Sequence, residues 1–361
     1  MSLPGLDKRR RHAGSFGSDA HTPADAATSV RREVALRAGV QMSPAAELLE
    51  NLLQTALTGV LVGAVYGLMC VGLGLIFSIM RVINFAQGEF LMLGMYAGMF
   101  AFTSLGLSGL LGPFGAPVAA ALLAGLSLFL FASLLHPILL ARISGTRMAG
   151  QDGDGHYPQL TLTLGLSLIL SNGGLLLFGA TPRAIRTPLS SSAWVISPLS
   201  SSDLALFINK AQVLAFVVTV AVVLLVGRFI RHSRQGRLLR AAADNPEAAT
   251  YMGIEVGRVH RLAFGLGSAI TGLAGALVAT WYPFQPYVGM EFILIMYAGV
   301  VLGGIGSISG AFWGGLTIGL VQQLSTLVLP QQLQNAAVFI VFLLVVLLRP
   351  QGLFGRSVDR A

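Results

Sequence analysis

Charge is what this sequence has least of. Only 11% of its 361 residues are Asp, Glu, Lys or Arg, against roughly 25% in an ordinary soluble domain. Hydrophobic residues make up 54%, more than a soluble core can hide, so a water-soluble globule is excluded. There is one cysteine, Cys70. It cannot form an internal disulfide, has no metal-ligand cluster beside it, and reads as a packing residue. Other absences narrow the chemistry. The glycine cluster Gly303–Gly310 lacks the Gly-Lys-Ser/Thr ending of a phosphate-binding loop, so nucleotide binding by this chain is rejected. No paired carboxylates, Ser/His pairing or metal spacing occur within a plausible common site, so no catalytic residue, metal or cofactor is expected. No aromatic-interleaved basic surface points to nucleic acid.

What the chain does have is long apolar runs, at about 52–79, 88–104, 115–135, 159–179, 211–230, 262–281, 292–329 and 334–348. A helix needs about 20 apolar residues to cross a bilayer, and the runs lack the period-2 alternation of strands. The expected fold is all-α, a polytopic integral membrane protein of about 8–9 transmembrane helices. Its 44 glycines suit close helix packing in lipid. The 38 residues of 292–329 exceed one ordinary crossing. They read as two crossings, or a crossing and a half-helix, broken at the glycine-rich stretch near 303–310.

The positive charge is clustered. Seven of 23 Lys and Arg lie within residues 1–50, and seven more from Arg228 to Arg261. The positive-inside rule puts Arg228–Arg261 and the tail with Arg349, Arg356 and Arg360 in the cytoplasm. Four crossings after Arg261 satisfy both, provided 292–329 crosses twice. Five runs before Arg228 then put the start near Met42 outside, against the basic residues preceding it. Either 52–79 is two passes, or residues 1–41 stand apart from the mature or family-like protein. That segment, with Lys8-Arg9-Arg10-Arg11, reads as a disordered basic extension. A transmembrane domain would span 42–354, with a cytoplasmic loop at 231–261 and a short cytoplasmic tail at 355–361.

Three segments could carry function. In the first, Asn245 can cap a helix that starts with Pro246 and Glu247, and Gly253 can end it. The loop would then be two short helices joined by a turn, with Ala248 and Ala249 small enough to enter a partner's groove. A plain solvated loop is the alternative. In the second, Asn84, Gln87 and Glu89 lie between apolar runs. They either line a permeation path or form a polar helix start, with Glu89 at a positive N-terminus. If helical, Asn84 and Gln87 share a face. In the third, Gly303, Gly304, Gly306 and Ser307 either let helices pack closely or expose backbone to the path. Weaker features are His136, the loop with Asp152, Asp154 and His156, and Trp281, Tyr282 and Tyr287, an aromatic belt. Glu89-Phe90…Met95-Tyr96-Ala97-Gly98 is faintly repeated, with a one-residue gap, in Glu291-Phe292…Met296-Tyr297-Ala298-Gly299.

Glu247-Ala248-Ala249 followed by Gly253 resembles the loop by which permeases of ATP-binding-cassette importers dock on their ATPases. Arg81-Val82-Ile83-Asn84-Phe85-Ala86-Gln87-Gly88-Glu89 resembles the signature of the branched-chain amino-acid permease family, LivH type. Gly303-Gly304-Ile305-Gly306-Ser307-Ile308-Ser309-Gly310-Ala311 agrees, and the resemblance runs in order from about Met42 to Phe354. That family commonly has His where Gln87 stands, and Gln cannot titrate near neutrality.

The resemblance implies a multi-pass permease of the bacterial plasma (inner) membrane. Its partners would be two ATPase subunits, a second related permease, an extracytoplasmic solute-binding protein and the lipid membrane, with no nucleic acid. ATP would be hydrolysed by other chains, so the subunit itself is no enzyme. Branched-chain or related amino acids are the implied cargo, with urea or amides as the family's other range. An ion-coupled secondary transporter is the competing class, but its spans would normally carry ionisable groups deep inside.

Overall fold

The computed structural model describes residues 44–138, 157–196, 205–349 and 351–354. The expected extension 1–41, the tail 355–361, and the loop of Asp152, Asp154 and His156 lie outside the described residues. Among the described residues the chain forms eleven α-helices and one small hairpin. In chain order these are α1 (Pro44–Met80), α2 (Gln87–Ser104), α3 (Leu107–Ile138), α4 (Tyr157–Phe178), β1 (Ala193–Ile196), β2 (Leu206–Asn209) and α5 (Lys210–His232). There follow α6 (Arg234–Asp244), α7 (Pro246–Tyr251), α8 (Val256–Val278), α9 (Val288–Gly303), α10 (Ile308–Ser325) and α11 (Gln334–Leu348).

Five helices, α1, α3, α4, α5 and α8, are long and apolar enough to cross a membrane, and α9 and α11 are shorter apolar helices. Burial separates centre from periphery. The most apolar stretch of α1 is 89% buried and that of α8 78%, against 22% for α4 and α5. So α1 and α8 lie in the core, together with α2 and α9, most of whose residues are also buried. Small residues permit this. Gly63 and Gly67 of α1 face Gly319 and Gly315 of α10, and a Cβ at Gly63 would stand 2.6 Å from the Leu316 carbonyl oxygen. Helices in lipid gain from such close approach because no hydrophobic drive separates them from the acyl chains.

The connections sort the chain into two ends. At one end, Arg81 follows α1 and its guanidinium donates to the Ala243 carbonyl of α6 at 3.5 Å. Also there, Leu353 N–H donates to the Leu302 carbonyl at 2.8 Å, which ties the residues after α11 to the end of α9. At the opposite end, Gln54 pairs with the backbone of Phe207 in β2, donating at 2.6 Å and accepting at 2.8 Å. This amide acts as a third strand edge for the hairpin, in which Trp194 pairs with Ile208 antiparallel.

The expected break occurs. α9 stops at Gly303, Gly304 and Gly306 take φ of 101° and 93°, and α10 starts after Ser307. Positive φ is a conformation that glycine adopts without the steric penalty of a Cβ. The stretch 292–329 is thus two antiparallel helices, and residues 352–354, after α11, lie against the α9–α10 turn. α1 is one unbroken helix from Pro44 to Met80, which removes the alternative that 52–79 makes two passes.

Candidate functional site

The polar cluster begins where α1 ends. Arg81 is the one non-glycine residue with positive φ, 52°, among the described residues, and residues 81–84 belong to no helix or strand. The chain therefore turns back into the protein before α2 starts. Asn84 sits in this turn, not on the helix, so the face expected to be shared with Gln87 does not exist. Asn84 Oδ1 instead accepts from Ala86 N–H at 3.2 Å, and Nδ2 donates to Gln87 Oε1 at 2.9 Å. Gln87 Nε2 passes the network to Thr271 Oγ1 of α8 at 2.6 Å. Asn84 and Gln87 are wholly buried. Buried amides need partners, and this chain of bonds supplies them.

Glu89, 1% exposed, extends the cluster toward α4 and α9. Its Oε1 accepts from Ser167 Oγ at 3.3 Å, while Oε2 has no hydrogen-bond partner. A Cβ on Gly289 would lie 2.8 Å from that oxygen. Glu89 is thus in the first turn of α2 and against the first turn of α9. Neither helix has a side-chain cap, and both are preceded by a residue in the same αR geometry, Ala86 and Tyr287. Free N–H groups at helix starts favour an acidic group nearby, and the Glu89 carboxyl lies beside both starts without bonding to the backbone N–H groups of either. The two similar segments noted in the sequence begin these two helices, which touch at Gly88 and Gly289.

Glu291 behaves differently. It is exposed on one face of α9, with Tyr287, Met290 and Leu294. Tyr282 donates its hydroxyl proton to Glu291 Oε2 at 3.0 Å. Burial first, and then the Glu291 carboxylate, push the Tyr282 phenol up to about 12, so it stays a donor at neutral pH. Glu291 also borders a cavity of about 260 Å³ with Leu294, Asn335, Val338 and Phe339, between α9 and α11. A carboxylate on an otherwise apolar outer face needs a wet or polar neighbour. The sequence showed Glu291 at a helix start; its exposure depends on what α9 packs against.

The glycine cluster serves mainly as a hairpin. Gly303 and Gly304 are buried, and Gly303 meets Gly310 across the α9–α10 contact. Ser307 caps α10 by accepting from Gly310 N–H at 3.0 Å, and Gly306 is exposed. No hydrogen bond joins this group to Asn84, Gln87 or Glu89 among the described residues; Phe85, next to Asn84, has its ring 5.4 Å from that of Tyr297 in α9.

The basic loop folds as its caps dictate. Ser233 accepts from Gly236 N–H at 2.8 Å to start α6, and Asn245 Oδ1 accepts from Ala248 N–H at 3.0 Å to start α7. Leu239 and Ala242 of α6 are buried and anchor the loop to the bundle. Gly253 has φ of 77° with nothing within 4 Å of an added Cβ, so it is a conformational stop and no close contact. Ala248 is exposed but Ala249 is 4% exposed. Ala249 therefore packs inward instead of serving as outward docking surface. The outer surface is Glu247, Ala248, Tyr251 at 88% and Met252 at 81% exposure. Tyr251 and Met252 were not singled out in the sequence, though large apolar residues beside a helix-ending glycine are a usable signal.

A multi-pass helical chain with a stapled polar interior and a two-helix loop at its basic end belongs to the class of transport permeases. The family described as "Branched-chain amino acid transport system / permease component" matches residues 55–348, and the chain belongs to it. It is 31% identical over 310 residues to the high-affinity branched-chain amino acid transport system permease protein LivH of Salmonella typhimurium, covering 84% of this chain and 96% of that one. LivH of Escherichia coli K12 is 31% identical over 313 residues and BraD of Pseudomonas aeruginosa 31% over 305, each with the same coverage. No solved structure matches. The chain is thus a multi-pass inner-membrane permease component of a transport system, and its relatives are named as permeases, not enzymes.

Proposed function

We propose that this chain forms half of the membrane path of an ATP-driven importer for branched-chain or related amino acids. A second related permease forms the other half. Two ATPase subunits dock on the α6–α7 loop, and an extracytoplasmic solute-binding protein delivers cargo to the end that carries the β-hairpin. The relatives' names support the cargo class. The observation that carries the machine is the loop itself: two capped short helices, anchored by Leu239 and Ala242, with Glu247, Tyr251 and Met252 exposed at the tip. Such a rigid, protruding and partly apolar surface suits insertion into a groove on another protein.

The exposed α9 face with Glu291 supports a path between the two permeases. Glu291 can receive the ammonium group of an amino acid, and Leu294, Val338 and Phe339 can accept an aliphatic side chain. The buried Asn84–Gln87–Glu89 network then holds the helix starts in place and is not itself the lining. Gly253→Asp tests the machine. It should leave the permease inserted and in normal amount, but separate ATP hydrolysis from uptake or release the ATPase subunits on purification. Normal assembly together with normal coupled uptake would overturn the docking role.

A further inference from the structure

A cavity of about 1230 Å³ lies at the basic end of the chain, between α1, α5, α6 and the α9–α10 turn. Its walls are apolar: Val71 and Leu75 come from α1, Val223 and Val226 from α5, and Ile308 from α10. Its rim is cationic, with Arg81, Arg228, Arg231 and Arg240 against one carboxylate, Asp244. None of these four guanidiniums is ion-paired among the described residues, where the recorded salt bridge is Arg258 with Glu255. Arg81 and Arg240 use single donors on backbone carbonyls, Ala243 at 3.5 Å and Arg231 at 3.2 Å, which leaves most of their hydrogen-bonding capacity free. The start of α10 adds a helix N-terminus on the same lining, at Ile308 and Ser309.

We infer that this cavity is a binding site for one anionic phospholipid, its phosphate held by the arginine rim and an acyl chain lying along the apolar walls. Size and charge together favour this occupant. Small-molecule sites run to roughly 300–1,000 Å³, so the space exceeds what an amino acid in transit needs. A free anion would use the rim and leave the apolar walls without purpose. Leu224 on the lining is 68% exposed, so the groove is open on the α5 side. Arginines on the cytoplasmic side of a membrane protein meet the leaflet that carries anionic headgroups. Ordinary positive-inside anchoring accounts for basic residues at helix ends, but does not account for an apolar cavity behind them. Because α6 forms one wall, an occupied groove also braces the loop against α1 and α5, and so lipid composition would regulate the coupling element.

The test uses the full-length chain, purified from membranes with the subunits that accompany it. It is equilibrated with equal amounts of phosphatidylglycerol and phosphatidylcholine of identical acyl chains, and retained lipid is read by native mass spectrometry. The expected result is retention of phosphatidylglycerol over phosphatidylcholine by at least about tenfold. The combined variant Arg228→Gln, Arg231→Gln, Arg240→Gln should lose that preference, and the corresponding Arg→Lys variant should keep it, because the positions are exposed and charge is what they supply. Equal retention of the two lipids, or an unchanged preference in the Gln variant, would overturn the inference. Displacement of the lipid by inorganic phosphate would identify a free-anion site and overturn it too. So would lipid-free preparations in which a second permease covers the groove. The readout is independent of transport, so its failure is distinguishable from failure of the importer assignment.

Discussion

The carboxylate of Glu89 occupies the space that a side chain at position 289 would need. A Cβ on Gly289 would come within 2.8 Å of Glu89 Oε2 and 2.8 Å of the Gly88 carbonyl carbon. The starts of α2 and α9 therefore meet through a missing side chain on one and a buried carboxyl group on the other.

Gly289→Ala should disturb this junction. Overpacking a tight site costs about 1–3 kcal/mol, and the displaced carboxylate would lose its place against α9. The expected outcome is a lower melting temperature of the purified permease. Gly257→Ala is the control, since nothing lies within 4 Å of an added Cβ there. Equal melting temperatures for the two variants would show that the contact carries no stability.

Asn84→Ala removes the acceptor for Ala86 N–H and the donor to Gln87 Oε1, both buried. Leaving such groups unsatisfied costs about 1–3 kcal/mol each. We expect less assembled permease, not merely altered transport. Glu89→Gln keeps the shape and the bond from Ser167, so the amount assembled should stay closer to normal. Membrane levels measured beside uptake separate the two effects; an Asn84→Ala permease at full abundance would contradict the network's structural role.

Glu291→Gln addresses the path. The side chain is exposed and bonded to Tyr282, so its neutralisation should spare assembly. If Glu291 receives a substrate ammonium, the apparent KM for uptake should rise about tenfold or more, in keeping with a lost charge-assisted bond. Tyr282→Phe should give a smaller rise. Unchanged uptake kinetics in Glu291→Gln would remove this face of α9 from the path.

Much of this architecture was legible because it rests on local chemistry. Gly304 and Gly306 break the 292–329 run through positive φ, and Asn245-Pro246 starts α7 as a cap must. Which side of each span faces inward was not legible. Spans that are apolar all round carry no amphipathic stripe, so nothing in the sequence told buried Glu89 from exposed Glu291, both in the first turn of a helix. The same lack of phase concealed Ala249, which turns inward while Ala248 next to it turns out. The turn at Arg81 takes a backbone conformation rare outside glycine, and so Asn84 could not be placed. The docking of Gln54 on the β1–β2 hairpin could not be read because it is a contact between residues 153 apart.

Leucine uptake into sealed vesicles is the most direct test of the central claim. The permease and its co-purified subunits are reconstituted with the solute-binding protein outside, and the energy source inside is varied. The account predicts uptake that needs ATP and the binding protein and is unaffected by collapse of ion gradients. Uptake that persists without ATP and follows a proton or sodium gradient would contradict it, and would make Glu89 a coupling-ion site in a secondary transporter instead.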